Sequence, residues 1–207
     1  MAHSQQVRFL NFVRETLPDY FKGQKVLEVG SLDINGSVRG LFIDCEYIGI
    51  DVADGKGVDL VVNGENFAGQ ANSIDVVISC ECFEHNPEYE KTWLNMVRVL
   101  KQDGLLIMTC ATYGRMQHGT LLASPESSPL TVQNGQDYYR NLIETDFDFL
   151  YLKNFFAEYF FVTDYSNSDM YFVGLGKGAD SKDVTSLASG KELALDFYGE
   201  IARSGLR

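Results

Sequence analysis

Four short apolar runs in this chain end in residues able to do chemistry. Lys25-Val26-Leu27-Glu28-Val29 opens into the small and polar loop Gly30-Ser31-Leu32-Asp33-Ile34-Asn35-Gly36. Tyr47-Ile48-Gly49-Ile50 ends in Asp51 and Val52, and Val58-Asp59-Leu60-Val61-Val62 in Asn63, Gly64 and Glu65. Ile74-Asp75-Val76-Val77-Ile78-Ser79-Cys80 ends in Glu81 and Cys82, with His85 just beyond. Asp51 follows Gly30 by 21 residues. At that spacing an acid after a second strand accepts both hydroxyls of a ribose, because two vicinal donors match one carboxylate. Asp54 is the nearest alternative. A pyrophosphate needs close backbone approach over several glycines. Two and five residues after Gly30 stand Leu32 and Asn35 instead. Glu28 and Asp33 flank the loop, which would repel a pyrophosphate and suit cationic groups such as an α-amino group and a sulfonium. Of the histidines, His85 is the first candidate for a general base and His118 the second.

The elements that must position these residues read as an α/β alternation. Phe9, Phe12, Val13 and Leu17 recur at helical spacing before Pro18, which predicts a leading helix within residues 1–23. The runs above are strands one to four, with a helix expected over about Ser37 to Phe42. Strand four is apolar and β-branched almost throughout, as expected of a parallel strand buried on both faces. Asn86-Pro87-Glu88 reads as a helix start, and Trp93, Met96, Val97 and Leu100 share one face. Asp103-Gly104 should end that helix and Leu105–Cys110 form strand five. Residues 111–141 break the rhythm with Gly, Ser, Pro and Tyr, as a lid or binding insert would. Glu144 to Tyr159 reads as a helix with Phe147, Leu150, Tyr151 and Phe155 inward. Phe160–Asp164 and Met170–Leu175 read as an antiparallel strand pair. Leu193, Leu195, Phe197 and Ile201 suggest a short helix in the tail 177–207. The expected fold is a single α/β domain over 1–207: a three-layer Rossmann-like sandwich around a mainly parallel seven-stranded sheet, its last strand antiparallel. Residues 24–110 would be the cofactor-binding core, 111–141 the substrate insert and 142–176 a helix plus the strand pair.

The totals narrow the function. Apolar residues are 45% and charged residues 22% of 207, ordinary for a folded domain with a sizeable core. The net charge of −12 argues against a partner held through phosphates, so nucleic acid is not expected. No stretch approaches the ~20 apolar residues of a membrane span, and no apolar run marks a secretory signal. Cys45, Cys80, Cys82 and Cys110 match no zinc spacing, so no metal site is expected; they read as reduced thiols of a cytoplasmic protein.

Taken together, the motifs resemble those of the class I S-adenosylmethionine-dependent methyltransferases. Val26-Leu27-Glu28-Val29-Gly30 is similar to that family's first motif, and Tyr47-Ile48-Gly49-Ile50-Asp51 to its ribose motif. Ile74 to His85, ending in Glu84-His85, is similar to the fourth-strand motif, and Arg98 to Leu106 to the helix-to-strand-five segment. The likeness covers roughly residues 24–110, with a looser fit to 176. The loop departs from the family's Gly-x-Gly-x-Gly, keeping only the first glycine. The resemblance implies S-adenosyl-L-methionine as cofactor and S-adenosyl-L-homocysteine as product. It puts Gly30 and Ser31 near the methionine moiety, Asp51 with Val52 at the ribose, and Asn63, Gly64 and Glu65 near the adenine. Cys80 or Glu81 would line the floor near the amino-acid end, close to Glu28 and Asp33.

The expected reaction is in-line methyl transfer to a small or medium acceptor, at oxygen rather than nitrogen: a sugar or glycan precursor, or a ring-bearing metabolite. Tyr113, Arg115, Tyr138, Tyr139 and Arg140 of the insert would shape the acceptor pocket, tyrosines by covering a ring or cation and arginines by holding an anion. Two other readings compete. A nicotinamide-dependent oxidoreductase or epimerase predicts a glycine-rich loop and, in the short-chain type, Tyr-x-x-x-Lys, and no tyrosine here has Lys four residues later. A non-catalytic cofactor-binding module predicts no turnover. A monomer or homodimer is expected.

Overall fold

The computed structural model describes residues 4–205, the side chains of Phe149 and Leu150 excepted. Its centre is one seven-stranded sheet in the order β3-β2-β1-β4-β5-β7-β6. The strands are β1 (Lys25–Val29), β2 (Glu46–Asp51), β3 (Leu60–Val61), β4 (Ile74–Cys80), β5 (Leu100–Ala111), β6 (Phe156–Asp164) and β7 (Asp169–Gly176). The first five run parallel, and β7 lies antiparallel between β5 and β6. The expected inserted antiparallel strand is therefore present.

Side-chain alternation sends each strand's apolar residues to two faces. On one face Val26, Val76, Ile78, Leu105, Ile107, Tyr171 and Val173 pack beneath α1 (Ser4–Thr16) and α4 (Ser181–Gly205). On the other, Leu27, Val29, Val77, Leu106, Met108 and Phe172 pack against α2 (Tyr89–Val99) and the turns around Phe83 and Phe147. Helices on both faces of a doubly wound sheet make the three-layer α/β sandwich expected from the sequence.

Four expectations about connections need correction. No helix covers Ser37 to Phe42: a single 3-10 turn, Arg39–Leu41, stands there. Arg39 instead clamps the crossover, with its guanidinium 4.7 Å from the Tyr47 ring centroid and 2.7 Å from Asp59. The third strand shrinks to two residues. Glu144–Leu150 and Leu152–Asn154 are 3-10 turns rather than a helix, and β6 already begins at Phe156. Of the four residues expected inward there, Phe147 is buried, Tyr151 and Phe155 are exposed, and the Leu150 side chain lies outside the described residues. The tail helix is longer than expected, and it docks through Leu187, Ala194 and Tyr198. Leu193, Leu195 and Phe197 face outward. Gly190 explains the choice of face: a Cβ there would meet Thr16 Cγ2 at 3.0 Å, so the missing side chain lets α4 lie close on α1.

Helix α2 starts at Tyr89, later than Asn86-Pro87 suggested. Asn86 still organises the approach, accepting from the Glu88 N–H at 2.8 Å and donating to Thr92 Oγ1 at 2.8 Å. The helix ends at Val99 and Leu100 opens β5, so the stop comes before Asp103-Gly104.

Glu28 lies buried on the α1–α4 face and accepts from the Tyr47 hydroxyl at 2.9 Å. Burial pushes its carboxyl up to about 7, from an ordinary value of 4.5. Below about pH 4.5 the group is protonated whether folded or not. Between about 4.5 and 7 only the unfolded chain ionises, so stability falls as pH rises and levels off above 7. The difference amounts to about 3 kcal/mol at 1.36 kcal/mol per unit. Glu28→Gln keeps an acceptor for Tyr47 and removes the titration. Urea unfolding at pH 5 and pH 8 should show the variant gaining on the wild type by about 2–3 kcal/mol at the higher pH. An unchanged gap between the two would exclude a buried neutral Glu28.

Candidate active site

Strand order reverses between β1 and β4, and the carboxyl ends of the strands around that point are where an open α/β sheet leaves a crevice. A cavity open to solvent at its mouth occupies this position.

The loop after β1 is stitched to its neighbours through its own backbone. The Gly30 and Ser31 N–H groups donate to Ile50 O at 2.9 and 3.1 Å. The Leu32 N–H donates to Asp51 Oδ2 at 3.0 Å, and the Asp33 N–H to Lys56 O at 2.8 Å. Those four donors are therefore spent within the protein and do not form a phosphate cradle. Gly30 has φ +80°, and a Cβ there would stand 2.5 Å from Cys82 Cβ. Both the left-handed backbone and the close approach of the β4 loop require glycine. The Asp33 carboxylate is taken by Lys56 at 2.8 Å and by the Gly36 N–H at 2.8 Å, which hold it low.

Asp51 stands on the cavity wall, its carboxylate accepting from Val52 N at 2.8 Å and Leu32 N at 3.0 Å. Two of its roughly four lone-pair directions remain for a ligand. Burial raises its pKa, and the two N–H groups work against that rise. Across the cavity, Glu65 accepts from Asn63 Nδ2 at 3.1 Å and Thr92 Oγ1 at 3.3 Å. Gly64 is held by Asn95, whose side-chain amide donates to its carbonyl at 2.7 Å. A Cβ on Gly64 would strike Thr92 Cγ2 at 2.6 Å and Val29 Cγ1 at 2.8 Å, so glycine lets this turn settle between α2 and β1.

Of the residues expected at a cofactor, the cavity wall carries Gly30, Asp51, Val52, Asn63, Gly64, Glu65 and Glu81. Glu28, Ser31, Asp33 and Cys80 are not among its lining residues. Glu28 and Cys80 belong to the buried α1–α4 side of the sheet, Ser31 is buried beside Gly49, and Asp33 is committed to Lys56. Cys82 and His85, both singled out in the sequence, line the cavity as well, and the wall also has parts that were not expected: Leu32, Ile34 and Val62, the stretch Asn86–Glu88, and Ser127–Thr131 with Gln136. Those last residues surround the short helix α3 (Pro129–Gln133) of the insert. Ser128 before Pro129 was the available signal, since Ser-Pro is a common entry to a helical turn.

The insert returns to the sheet beside the 83–85 turn. Arg140 N donates to Glu84 O at 2.8 Å, Leu142 N to Ala111 O at 3.1 Å, and Thr112 Oγ1 to Leu142 O at 2.6 Å. This closure brings His85, His118 and Tyr139 together, with ring centroids 4.9–5.5 Å apart. His85 is 4% exposed and lines the cavity, while His118 stands behind it. Burial drives the His85 pKa down to about 4, reinforced by His118, so the ring is neutral at ordinary pH. The acceptor-site candidates divide. Tyr139 joins this cluster. Arg115 pairs with buried Asp169 at 3.3 Å and with Asn167 O at 2.8 Å. Arg140 pairs with Asp146 and covers the Tyr89 ring at 5.8 Å. Tyr113 is 83% exposed, and Tyr138 is half-buried beside the cluster.

The strand order and the cavity at the switch point define a doubly wound α/β protein with a candidate ligand site at its strand ends. Residues 35–108 match the methyltransferase-domain family. Among solved structures, phosphoethanolamine N-methyltransferase 2 of Haemonchus contortus, in complex with phosphomonomethylethanolamine and S-adenosylhomocysteine, is similar at 15% identity and TM-score 0.55. The likeness covers 82% of this chain and 52% of that one. A Thermotoga maritima S-adenosylmethionine-dependent methyltransferase, described as a possible histamine N-methyltransferase, is similar at 15% identity and TM-score 0.51, over 83% of this chain and 98% of that one. No curated protein sequence matches. Over residues 35–108 the chain is thus similar to a methyltransferase domain, and its fold is that of these solved S-adenosylmethionine-dependent methyltransferases. No helix among the described residues is long and apolar enough to cross a membrane.

Proposed function

We propose that the cavity binds S-adenosyl-L-methionine and that the chain transfers its methyl group to an oxygen of a small or medium-sized acceptor, with sugars and ring-bearing metabolites as the favoured classes. One observation carries the reading: Asp51 stands on the wall of a switch-point cavity with lone pairs left over, below a β1 loop whose N–H groups are already used. A ribose fits that carboxylate, and a pyrophosphate has nothing to bind. The same geometry disfavours a nicotinamide dinucleotide. The adenine end would lie toward Asn63–Glu65 and the methyl toward Glu81 and His85.

The sulfonium methyl needs no further activation. With the cofactor bound, an acceptor oxygen held in line would attack the methyl, the C–S pair staying on sulfur to give S-adenosyl-L-homocysteine and the acceptor proton passing to His85 or to water. Alignment can supply up to ~7–11 kcal/mol of the barrier reduction. Oxygen is favoured over nitrogen because neutral His85 and His118 and buried Glu84 gather at the methyl end, where a hydroxyl must be deprotonated or polarised.

Calorimetric titration tests the cofactor. S-adenosyl-L-methionine and S-adenosyl-L-homocysteine should each bind once per chain, and reduced nicotinamide cofactor not at all. The reverse preference would replace this reading with the oxidoreductase one. Tight S-adenosyl-L-methionine binding without methyl transfer to any hydroxyl-bearing acceptor would favour a non-catalytic module.

A further inference from the structure

We propose that Glu84, His85 and His118 form a binding site for one divalent transition-metal ion at the methyl end of the cavity. One ligand atom from each of the three lies within 4.8 Å of the other two. Glu84 is wholly buried, and neither of its carboxylate oxygens makes a hydrogen bond of ordinary geometry, although its own backbone and that of Ala111 are close. A buried polar group without a partner costs about 1–3 kcal/mol, and more when charged. The fold places two such oxygens beside two imidazoles, an arrangement that a cation would satisfy.

The histidines are prepared in the same sense. His118 Nδ1 lies 3.0 Å from Met116 O, which fixes the proton on Nδ1 and leaves the Nε2 lone pair free. His85 is hydrogen-bonded to the Tyr138 backbone, and its Nδ1 is buried without a partner. Metal-binding histidines characteristically donate one ring N–H to a backbone carbonyl, which orients the other nitrogen. Gly119 makes room: with φ +63°, a Cβ there would lie 2.6 Å from His85 Cε1.

Two nitrogens and one carboxylate oxygen select the class of ion. Magnesium and calcium want all-oxygen shells, whereas zinc, manganese, iron(II) and cobalt(II) accept imidazole. Ligand atoms around a tetrahedral zinc stand about 3.3 Å apart, from bonds of ~2.0–2.1 Å, so closure takes side-chain movements on the order of 1 Å. Three protein ligands leave at least one position open, and His85 and Glu81 put the cavity wall beside it. Glu81, which accepts from Thr109 Oγ1 at 3.0 Å, adds a second carboxylate to balance the ion's charge.

The role assigned to the ion rests on the methyl-transfer reading, while the site itself does not. An acceptor hydroxyl bound at the open position loses its proton to water more readily, because the cation lowers its pKa. The resulting oxyanion forms the new O–CH3 bond as the C–S bond breaks.

Protein stripped with a chelator and titrated with zinc, manganese and cobalt(II) chlorides should take up one ion per chain, cobalt giving a visible d–d absorption. Glu84→Gln, close in shape, and His118→Ala should each weaken uptake at least tenfold. Lys56→Ala, at the opposite end of the β1 loop, should leave it unchanged. Calorimetry with S-adenosyl-L-methionine on the same stripped samples keeps the two proposals apart. Wild type that binds the cofactor but takes no ion overturns this site, as do equal affinities in all the variants. Ion uptake without cofactor binding sustains the site and sinks the methyl-transfer reading.

Discussion

Asp51→Ala should weaken S-adenosyl-L-methionine binding on the order of 100-fold by calorimetry while the chain stays folded. Hydrogen bonds to charged groups are worth ~1.5–3 kcal/mol each, and a carboxylate facing both ribose hydroxyls makes two. Losing about 3 kcal/mol corresponds to a factor of roughly 100 in Kd. The substitution has a second effect, because Asp51 also accepts from Leu32 N and Val52 N. Releasing those groups loosens the β1 loop over the same cavity and destabilises by ~1 kcal/mol. Asn is a poor replacement for the same reason. Its amide nitrogen would face an N–H that the carboxylate now satisfies, so Asp51→Asn should also bind weakly. Affinity unchanged in both variants would remove Asp51 from the site.

Trp93→Ala should cost ~3–5 kcal/mol in urea unfolding, in the range for a large aromatic removed from a packed core. For a chain of this size the melting temperature should fall by roughly 10 °C or more. Trp93 is fully buried, its ring centroid 5.9, 4.8 and 4.9 Å from those of Phe83, Phe147 and Phe172. It therefore joins α2, the 83–85 turn, the segment before β6 and β7. Emptying its place also undermines Phe83, and with it the backbone carrying Glu84 and His85. Trp93→Phe separates packing from polarity. The indole Nε1–H is buried without a partner, so phenylalanine gives up volume but relieves an unmet donor. Its loss should be under half that of alanine. Equal losses for the two would mean the N–H has a partner after all.

What could be read from the sequence followed the physical strength of each signal. Strands β1, β2 and β4 announced themselves because central parallel strands are apolar on both faces, and α1 because Phe9, Val13 and Leu17 keep one stripe. Glu144 to Tyr159 misled because Phe147, Tyr151 and Phe155 happen to fall at helical spacing. From Phe156 the same stretch also alternates, and pairing with β7 decided for strand. In α4 the exposed side carries as many large apolar residues as the docked side, where Leu187 and Tyr198 are set among Gly190 and Ala194, whose value is smallness rather than hydrophobicity. At the site, Gly30 and Asp51 could be placed from spacing alone. The fate of Asp33 depended on Lys56, a partner that only the folded loop supplies. The meeting of His85 with His118 depended on the path of the insert, which no local pattern encodes.

The position of β7 bears on how the chain is made. During synthesis β5 emerges long before the strand that will cover its edge, and β6, which emerges first, has its place beside β7 and not beside β5 in the finished sheet. Until Asp169–Gly176 slides between them, β5 presents an uncapped apolar edge, the kind of edge that recruits other chains. At ~5–20 residues per second on the ribosome, the roughly sixty residues between these strands keep that edge open for several seconds. Nascent chains stalled in this interval are the ones that should need a chaperone, and release from it should coincide with the arrival of β7.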